Sequence, residues 1–215
     1  MIVSHKYKFI FIHIDKCAGT SITLAMAPHL GEEDLILGCT KDGEKRSVEG
    51  RKAKSLWKHA TAQRAKTVLG DDIWNSYFKF TFVRNPWDMV VSTYHWWLKT
   101  SWNDAMGRSK KIREMKDFKE YVFSPYVREK NCLDYISDEN GDIIVDFIGR
   151  HEKLEVDFSY ICGKVGLPNI ELPHKNQSKH ESYNDYYDKE TRRIIRERFD
   201  RDIDYFQYRF KALKN

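Results

Sequence analysis

Two short stretches gather residue types that could hold an anion. In "DKCAGTS" (15–21), Lys16 follows an apolar run and precedes Gly19, Thr20 and Ser21. A loop between a buried strand and a helix offers free backbone N–H groups and the positive helix end. Gly19 permits close approach, the Thr20 and Ser21 hydroxyls can donate, and Lys16 adds a full charge. In "FVRNPWDMVVSTYHWW", Arg84 closes a second apolar run, and Ser92 lies one turn beyond Asp88 on the helix that follows. A guanidinium and a hydroxyl so placed can converge on one phosphate. Alone, the first stretch is ordinarily a tight turn with a solvated lysine. Alone, the second is an ion-paired arginine beside a helical serine. Together, each at the end of a strand, they point to a ligand carrying phosphate groups.

The first stretch is not a Walker loop, which needs GxxxxGK[ST]; here the lysine precedes the glycine. No acidic partner for a phosphate-bound metal stands out. Cys17, Cys39, Cys132 and Cys162 are scattered without a CxxC, so neither a zinc site nor a disulfide framework is expected. The 37 basic and 32 acidic residues leave a net charge of only +5, which suits a nucleic-acid binder or an enzyme of anionic small molecules equally. No apolar run approaches the roughly 20 residues of a membrane span. A soluble, cytoplasmic protein without a membrane partner is therefore the expectation.

The elements that would position these residues follow from their patterns. "YKFIFIHI" (7–14) reads as a central strand covered on both faces, and Gly19 opens a helix through about Met26. Residues 31–58 read as a polar, loop-rich surface excursion. "ATAQRAKTVLGDDIWNSY" reads as two helices broken at Gly70, and "FKFTFVR" (78–84) as a second buried strand. Asn85 is a suitable N-cap with Pro86 at the first helical position. A basic helix around Lys110, Lys111 and Arg113 follows, then a third strand in "IIVDFIGR" and an amphipathic helix ended by Gly166 and Pro168. A last helix from about Lys189 carries Ile195, Phe199, Ile203 and Phe206 on its inner stripe. Repeated strand–turn–helix units predict an α/β fold with a parallel sheet in a single domain spanning 1–215. Ligands of such folds gather at the carboxyl ends of the strands, where Lys16 and Arg84 lie.

On these motifs the chain resembles the sulfotransferases. "FIHIDKCAGTSI" is similar to the family's 5′-phosphosulfate loop and "FTFVRNPWDMVVSTY" to its 3′-phosphate motif. The likeness extends through "KHATAQ", "DFIGRHEKLEVDF", "LPHKNQSKH" and the terminal helix, and is greatest to the carbohydrate O-sulfotransferase branch. The resemblance implies a P-loop-like sheet, 3′-phosphoadenosine 5′-phosphosulfate (PAPS) as donor, no metal, and a hydroxyl acceptor such as a glycan. It implies that Lys16, Cys17, Ala18, Gly19, Thr20 and Ser21 hold the 5′-phosphate, and Arg84 and Ser92 the 3′-phosphate. Lys16 would also stabilise the leaving phosphate. His59 would be the base, with His95 in reserve, and Asn176 and Ser178 would contact the nucleotide. His13 is expected to pack beside the sheet and His174 to line the tail segment. The sequence departs from the family's pattern where Asp15 replaces a usual proline and Ala18 a usual second glycine. The products would be a sulfated acceptor and 3′-phosphoadenosine 5′-phosphate (PAP).

Two rival readings remain at this level. A nucleotide or small-molecule kinase would share the loop architecture but lacks the GK[ST] signature. A non-catalytic RNA-binding module would draw on the basic residues and on aromatics such as Trp96, Trp97 and Trp102. No RNA-recognition motif is present, so no nucleic-acid partner is expected.

Overall fold

A computed structural model describes residues 1–100, 106–172 and 182–211. They fall into two compact units, the first of residues 1–83 and 132–172, the second of residues 84–131 and 182–211. In the first unit, β1 (Ile2–Ser4), β2 (Phe9–Ile12), β3 (Leu35–Ile36), β4 (Phe78–Val83) and β5 (Phe147–Arg150) form one sheet, ordered β3-β1-β2-β4-β5. The helices run in chain order as α1 (Gly19–Met26), α2 (Lys41–Lys52), α3 (Ala62–Leu69), α4 (Asp71–Ser76), α5 (Pro86–Lys99) and α6 (Arg108–Arg113). There follow α7 (Phe118–Phe123), α8 (Leu133–Ile136), α9 (Leu154–Val165), α10 (Lys189–Arg198) and α11 (Asp200–Tyr205). Among the described residues, no helix is long and apolar enough to cross a membrane.

The sheet has the expected parallel centre, β2–β4–β5, so the α/β class stands. Every residue of β2 is buried, and Phe11 stacks on Phe80 of β4 with centroids 5.1 Å apart. The Thr81 hydroxyl donates to the Ile12 carbonyl at 2.7 Å, adding a side-chain bond to the backbone ladder. Gly149 of β5 leaves room for the Phe82 ring, which a Cβ there would meet at 2.5 Å. Sequence reading missed β1, which pairs antiparallel with both β2 and β3. Its three residues sit next to a polar turn, and the turn is fixed by a residue far along the chain. Asp34 accepts from the Ser4 hydroxyl at 2.6 Å and from the His5 and Lys6 backbone N–H groups. The third strand is shorter than read, because Ile143 instead bridges Ser137.

The stretch 31–58 is a correction to the sequence reading. It contains β3 and the regular helix α2, capped by Thr40, whose side chain accepts from the Gly43 N–H. The residues α2 buries are Gly43, Ser47 and Gly50, a stripe of small residues with no apolar side chain. A Cβ on Gly50 would lie 1.7 Å from the Leu56 carbonyl oxygen, so helix and following loop meet backbone to backbone. The Ser47 hydroxyl accepts from the Lys58 N–H at 2.8 Å, pinning the loop that carries His59.

The second unit is helical. Asn85 caps α5 through its side chain, Pro86 is its first residue, and Asp88 is the acid of its first turn, as read from sequence. The basic region splits into α6 and α7, with Lys110, Lys111 and Arg113 exposed. The terminal helix breaks at Phe199 (φ −118°, ψ 31°) into α10 and α11, yet Ile195, Phe199, Ile203 and Phe206 are buried as expected. Asp188 and Thr191 form a capping box at the start of α10, and Lys119 of α7 pairs with Asp188 at 2.8 Å and with Glu190 at 3.0 Å.

The close approach at Gly50 makes a prediction. Gly50→Ala forces a methyl into backbone and should cost about 1–3 kcal/mol, read as a Tm several degrees lower. Gly163→Ala, on an exposed turn of α9 where a Cβ meets nothing within 4 Å, should instead raise Tm slightly. Equal Tm values for the two variants would refute the packing described for α2.

Candidate active site

The loop from Asp15 to Ala18 joins β2 to α1 through an unusual backbone. Lys16 (φ 65°) and Ala18 (φ 63°) both adopt the left-handed conformation. For a residue with a side chain this costs about 1–2 kcal/mol each. The position demands a left-handed residue, which glycine adopts without strain, and this chain accepts the strain with the smallest side chain that has a Cβ. No side chain caps α1, and its first turn holds no acidic residue, so the positive helix end is not neutralised from within. Thr20 and Ser21 are partly exposed at that end. Cys17 is 1% exposed, so its thiol is packed away and only its backbone can serve a ligand. The Cys39 Sγ lies 3.7 Å from the Thr20 Oγ1.

Gly19 is required for a reason the sequence did not disclose. A Cβ there would lie 2.2 Å from the His13 ring, so an imidazole fills the space that a side chain would take. His13 is 2% exposed, stacks on Phe11 (5.6 Å, 24°) and meets the His59 ring edge-on (4.8 Å, 79°). Its Nδ1 is buried without a hydrogen-bond partner. Burial first, and then neighbouring positive groups including His59, hold its pKa well below the usual histidine value. His13 therefore packs as a neutral ring.

His59 sits directly beside this loop. Its Nδ1 is 2.8 Å from the His13 carbonyl oxygen. A carbonyl only accepts, so Nδ1 carries the proton, and the lone pair is on Nε2. Burial lowers the His59 pKa to about 4, while the Asp15 carboxylate and the bond to the His13 carbonyl push the other way. The Tyr135 hydroxyl of α8 donates to Asp15 Oδ1 at 3.3 Å. The imidazole is thus neutral at pH 7, in one tautomer, with a carboxylate nearby to favour the cation when a proton arrives. Lys16, the start of α1, His13 and His59 are brought together within the first unit.

Arg84 and Ser92 belong to the second unit. Arg84 is 8% exposed, and its Nε donates to Asp88 Oδ2 at 2.8 Å, an ion pair across one helical turn. This orients the guanidinium along α5. Ser92 is 7% exposed and stands one further turn along the same helix. Asn85 Nδ2 donates to the Arg209 carbonyl at 3.2 Å, tying the start of α5 to the C-terminal segment. His95 Nε2 is engaged with the Tyr186 hydroxyl at 2.8 Å. Asn176, Ser178 and His174, and also Trp102, lie outside the described residues.

Sequence reading missed three contributors: the His13 ring under Gly19, the Tyr135–Asp15 contact, and the α2 scaffold under His59. The doublet of histidine and glycine six residues apart was the one available signal, and only the fold shows that the two touch.

A model of the sulfotransferase family matches residues 1–209. An uncharacterized protein of Archaeoglobus fulgidus is 32% identical over 102 residues, covering 46% of this chain and 77% of that protein. No solved structure matches. With the family's pattern running along nearly all of its length, the chain belongs to the sulfotransferase family.

Proposed function

We propose that the protein moves the sulfuryl group of PAPS to a hydroxyl of a soluble carbohydrate in the cytoplasm, with Lys16 and His59 as its catalytic residues. The observation that carries this reading is His59 held by the His13 carbonyl in the Nδ1–H tautomer, beside a strained loop that opens an uncapped helix. Support for the donor comes from that helix end and the partly exposed Lys16 in the first unit and, separately, from an arginine oriented by Asp88 in the second. Cys17, Ala18, Gly19, Thr20 and Ser21 would cradle the 5′-phosphate with backbone N–H groups and hydroxyls. Arg84 and Ser92 would take the 3′-phosphate, and Asn176 and Ser178 would add contacts to the nucleotide.

In this scheme the acceptor oxygen attacks sulfur in line with the departing phosphate oxygen. One S–O bond forms as another breaks. The acceptor proton passes to His59 Nε2. Negative charge growing on the 5′-phosphate of departing PAP is met by Lys16 and the helix end. Asp15 stabilises the imidazolium once formed, and no metal takes part in the scheme.

Two measurements test it. In calorimetry without magnesium, PAP should bind wild type, and Arg84→Ala should weaken it about 10- to 100-fold, the worth of a charged hydrogen bond. Lys16→Ala should lower kcat about 100-fold or more. Binding of ATP with magnesium in place of PAP would sink the donor assignment.

The second measurement is the pH dependence. With the His59 pKa lowered to about 4, kcat/KM should show no break near 6.5 and should fall only as pH approaches about 4. The same shift bears on folding. A depressed histidine pKa means the unfolded chain binds the proton more tightly, so its stabilising contribution is full above pH 6.5. That contribution declines as pH falls toward 4, and His13 adds to the decline in the same direction. A kinetic break at 6.5 would overturn the lowered His59 pKa, whereas full activity in His59→Gln would remove His59 from the mechanism.

A further inference from the structure

The second unit holds an open depression of about 550 Å³ that the sulfuryl-transfer scheme does not use. It is lined by Lys189, Arg192, Arg193 and Arg196 of α10 and by Arg209 and Phe210 of the C-terminal segment, over a floor that includes Trp87. Two of these charges are already balanced. Arg193 pairs with Glu197 at 2.8 Å, and Arg196 pairs with Asp204. Lys189, Arg192 and Arg209 have no carboxylate partner among the described residues, so the depression keeps an unbalanced positive charge from both of its walls.

Arg192 is held unlike an ordinary surface arginine. Its guanidinium lies over the Phe210 ring, 4.6 Å from the centroid. Phe210 is itself wedged edge-to-face against Trp87, Tyr183 and Tyr187, with centroids 5.5, 5.5 and 5.6 Å away. The Trp87 Nε1–H donates to the Arg192 carbonyl at 3.1 Å, and the Tyr187 hydroxyl donates to the Trp87 carbonyl at 2.9 Å. The Arg192 backbone is thus anchored, and its exposed guanidinium is steadied by the Phe210 ring. A guanidinium resting over a ring keeps N–H donors for a ligand, and part of its side-chain freedom is restricted before a ligand arrives.

From this we infer a second anion site, in which Arg192, flanked by Lys189 and Arg209, takes the sulfate or phosphate monoester of a small ligand. The inference stands whether or not PAPS is the donor. Compact oxyanions suit a bidentate fork, and the cavity holds a ligand of about one or two sugar rings. A single-stranded nucleic acid fits less well. With Arg192 over its face and three rings around it, Phe210 is not a free platform for stacked bases.

The test is calorimetry on the full chain with three probes: N-acetylglucosamine 6-sulfate, N-acetylglucosamine 6-phosphate and N-acetylglucosamine. Saturable binding of either ester, with none of the neutral sugar, is expected, and the tighter ester identifies which monoester the site takes. Arg192→Lys keeps the charge but not the fork and should weaken binding at least 10-fold. Phe210→Leu removes the shelf and should weaken it several-fold, with circular dichroism confirming that each variant is folded. Lys16→Ala should bind the ester as wild type does. Wild-type affinity in Arg192→Lys would show unspecific charge attraction and overturn the proposal. Loss in Lys16→Ala would place the probe at the β2–α1 loop and overturn it equally. So would tighter, steeply salt-dependent binding of a 20-nucleotide single strand that Arg192→Lys abolishes, because the depression would then be a nucleic-acid surface.

Discussion

Where β2 ends, one residue has to satisfy three neighbours at once. The strand is buried on both faces and its ladder is complete to Ile12. The next residue, His13, then gives its carbonyl to His59, its ring to the gap left by Gly19, and a ring face to Phe11. The tautomer of His59, the starting point of α1 and the packing of the sheet's end are therefore set together. The arrangement has a visible cost. An imidazole nitrogen left buried without a partner costs on the order of 1–3 kcal/mol, and two left-handed residues follow within five positions. Strain of this kind persists only where the surroundings over-determine it. Here a sheet of interlocked phenylalanines does so: Phe9, Phe11 and Phe80 meet ring to ring across β2 and β4.

The parts of this arrangement legible in the sequence were those written in local chemistry. Gly19–Met26 was readable as a helix because an apolar strand, a glycine and small hydroxyl residues stand in order, and the observed α1 has those same bounds. Asn85, Pro86 and Asp88 announced the start of α5 through cap, fixed φ and first-turn charge. What was not legible depended on residues far apart or on side chains too small to leave a pattern. Helix α2 buries Gly43, Ser47 and Gly50, so a search for apolar periodicity finds nothing, although the helix is regular and well capped. β1 is three residues long and owes its turn to Asp34, about thirty positions downstream.

The same division runs through the candidate site. Lys16, Arg84 and Ser92 could be singled out because each was read at, or on the helix just beyond, a strand end; β4 does end beside Arg84, whereas β2 ends at Ile12, two residues short of the reading and four before Lys16. His59 could be singled out only by resemblance, since nothing local to "WKHATAQ" reveals that its ring reaches the His13 carbonyl. The Arg84–Asp88 pair is a case between the two. Its i,i+4 spacing is plain in the sequence, but its consequence is a matter of packing: at 9% and 18% side-chain exposure the pair is a fixed support for the guanidinium rather than a solvated ion pair.

Asp15 shows how a departure from the family's pattern can be read physically. A carboxylate beside an anion site is a repulsive choice if the anion is its only neighbour. Asp15 instead accepts from Tyr135 and raises the His59 pKa against burial, which on its own drives that value down. A proline in its place would remove both effects and leave a buried imidazole with still less affinity for a proton. If His59 serves as the base proposed above, it must be neutral before the reaction and cationic during it, and burial favours the first state while a carboxylate favours the second. Under the proposed scheme the aspartate would trade a modest repulsion toward an incoming anionic donor for support of the His59 imidazolium, against the burial that lowers the His59 pKa.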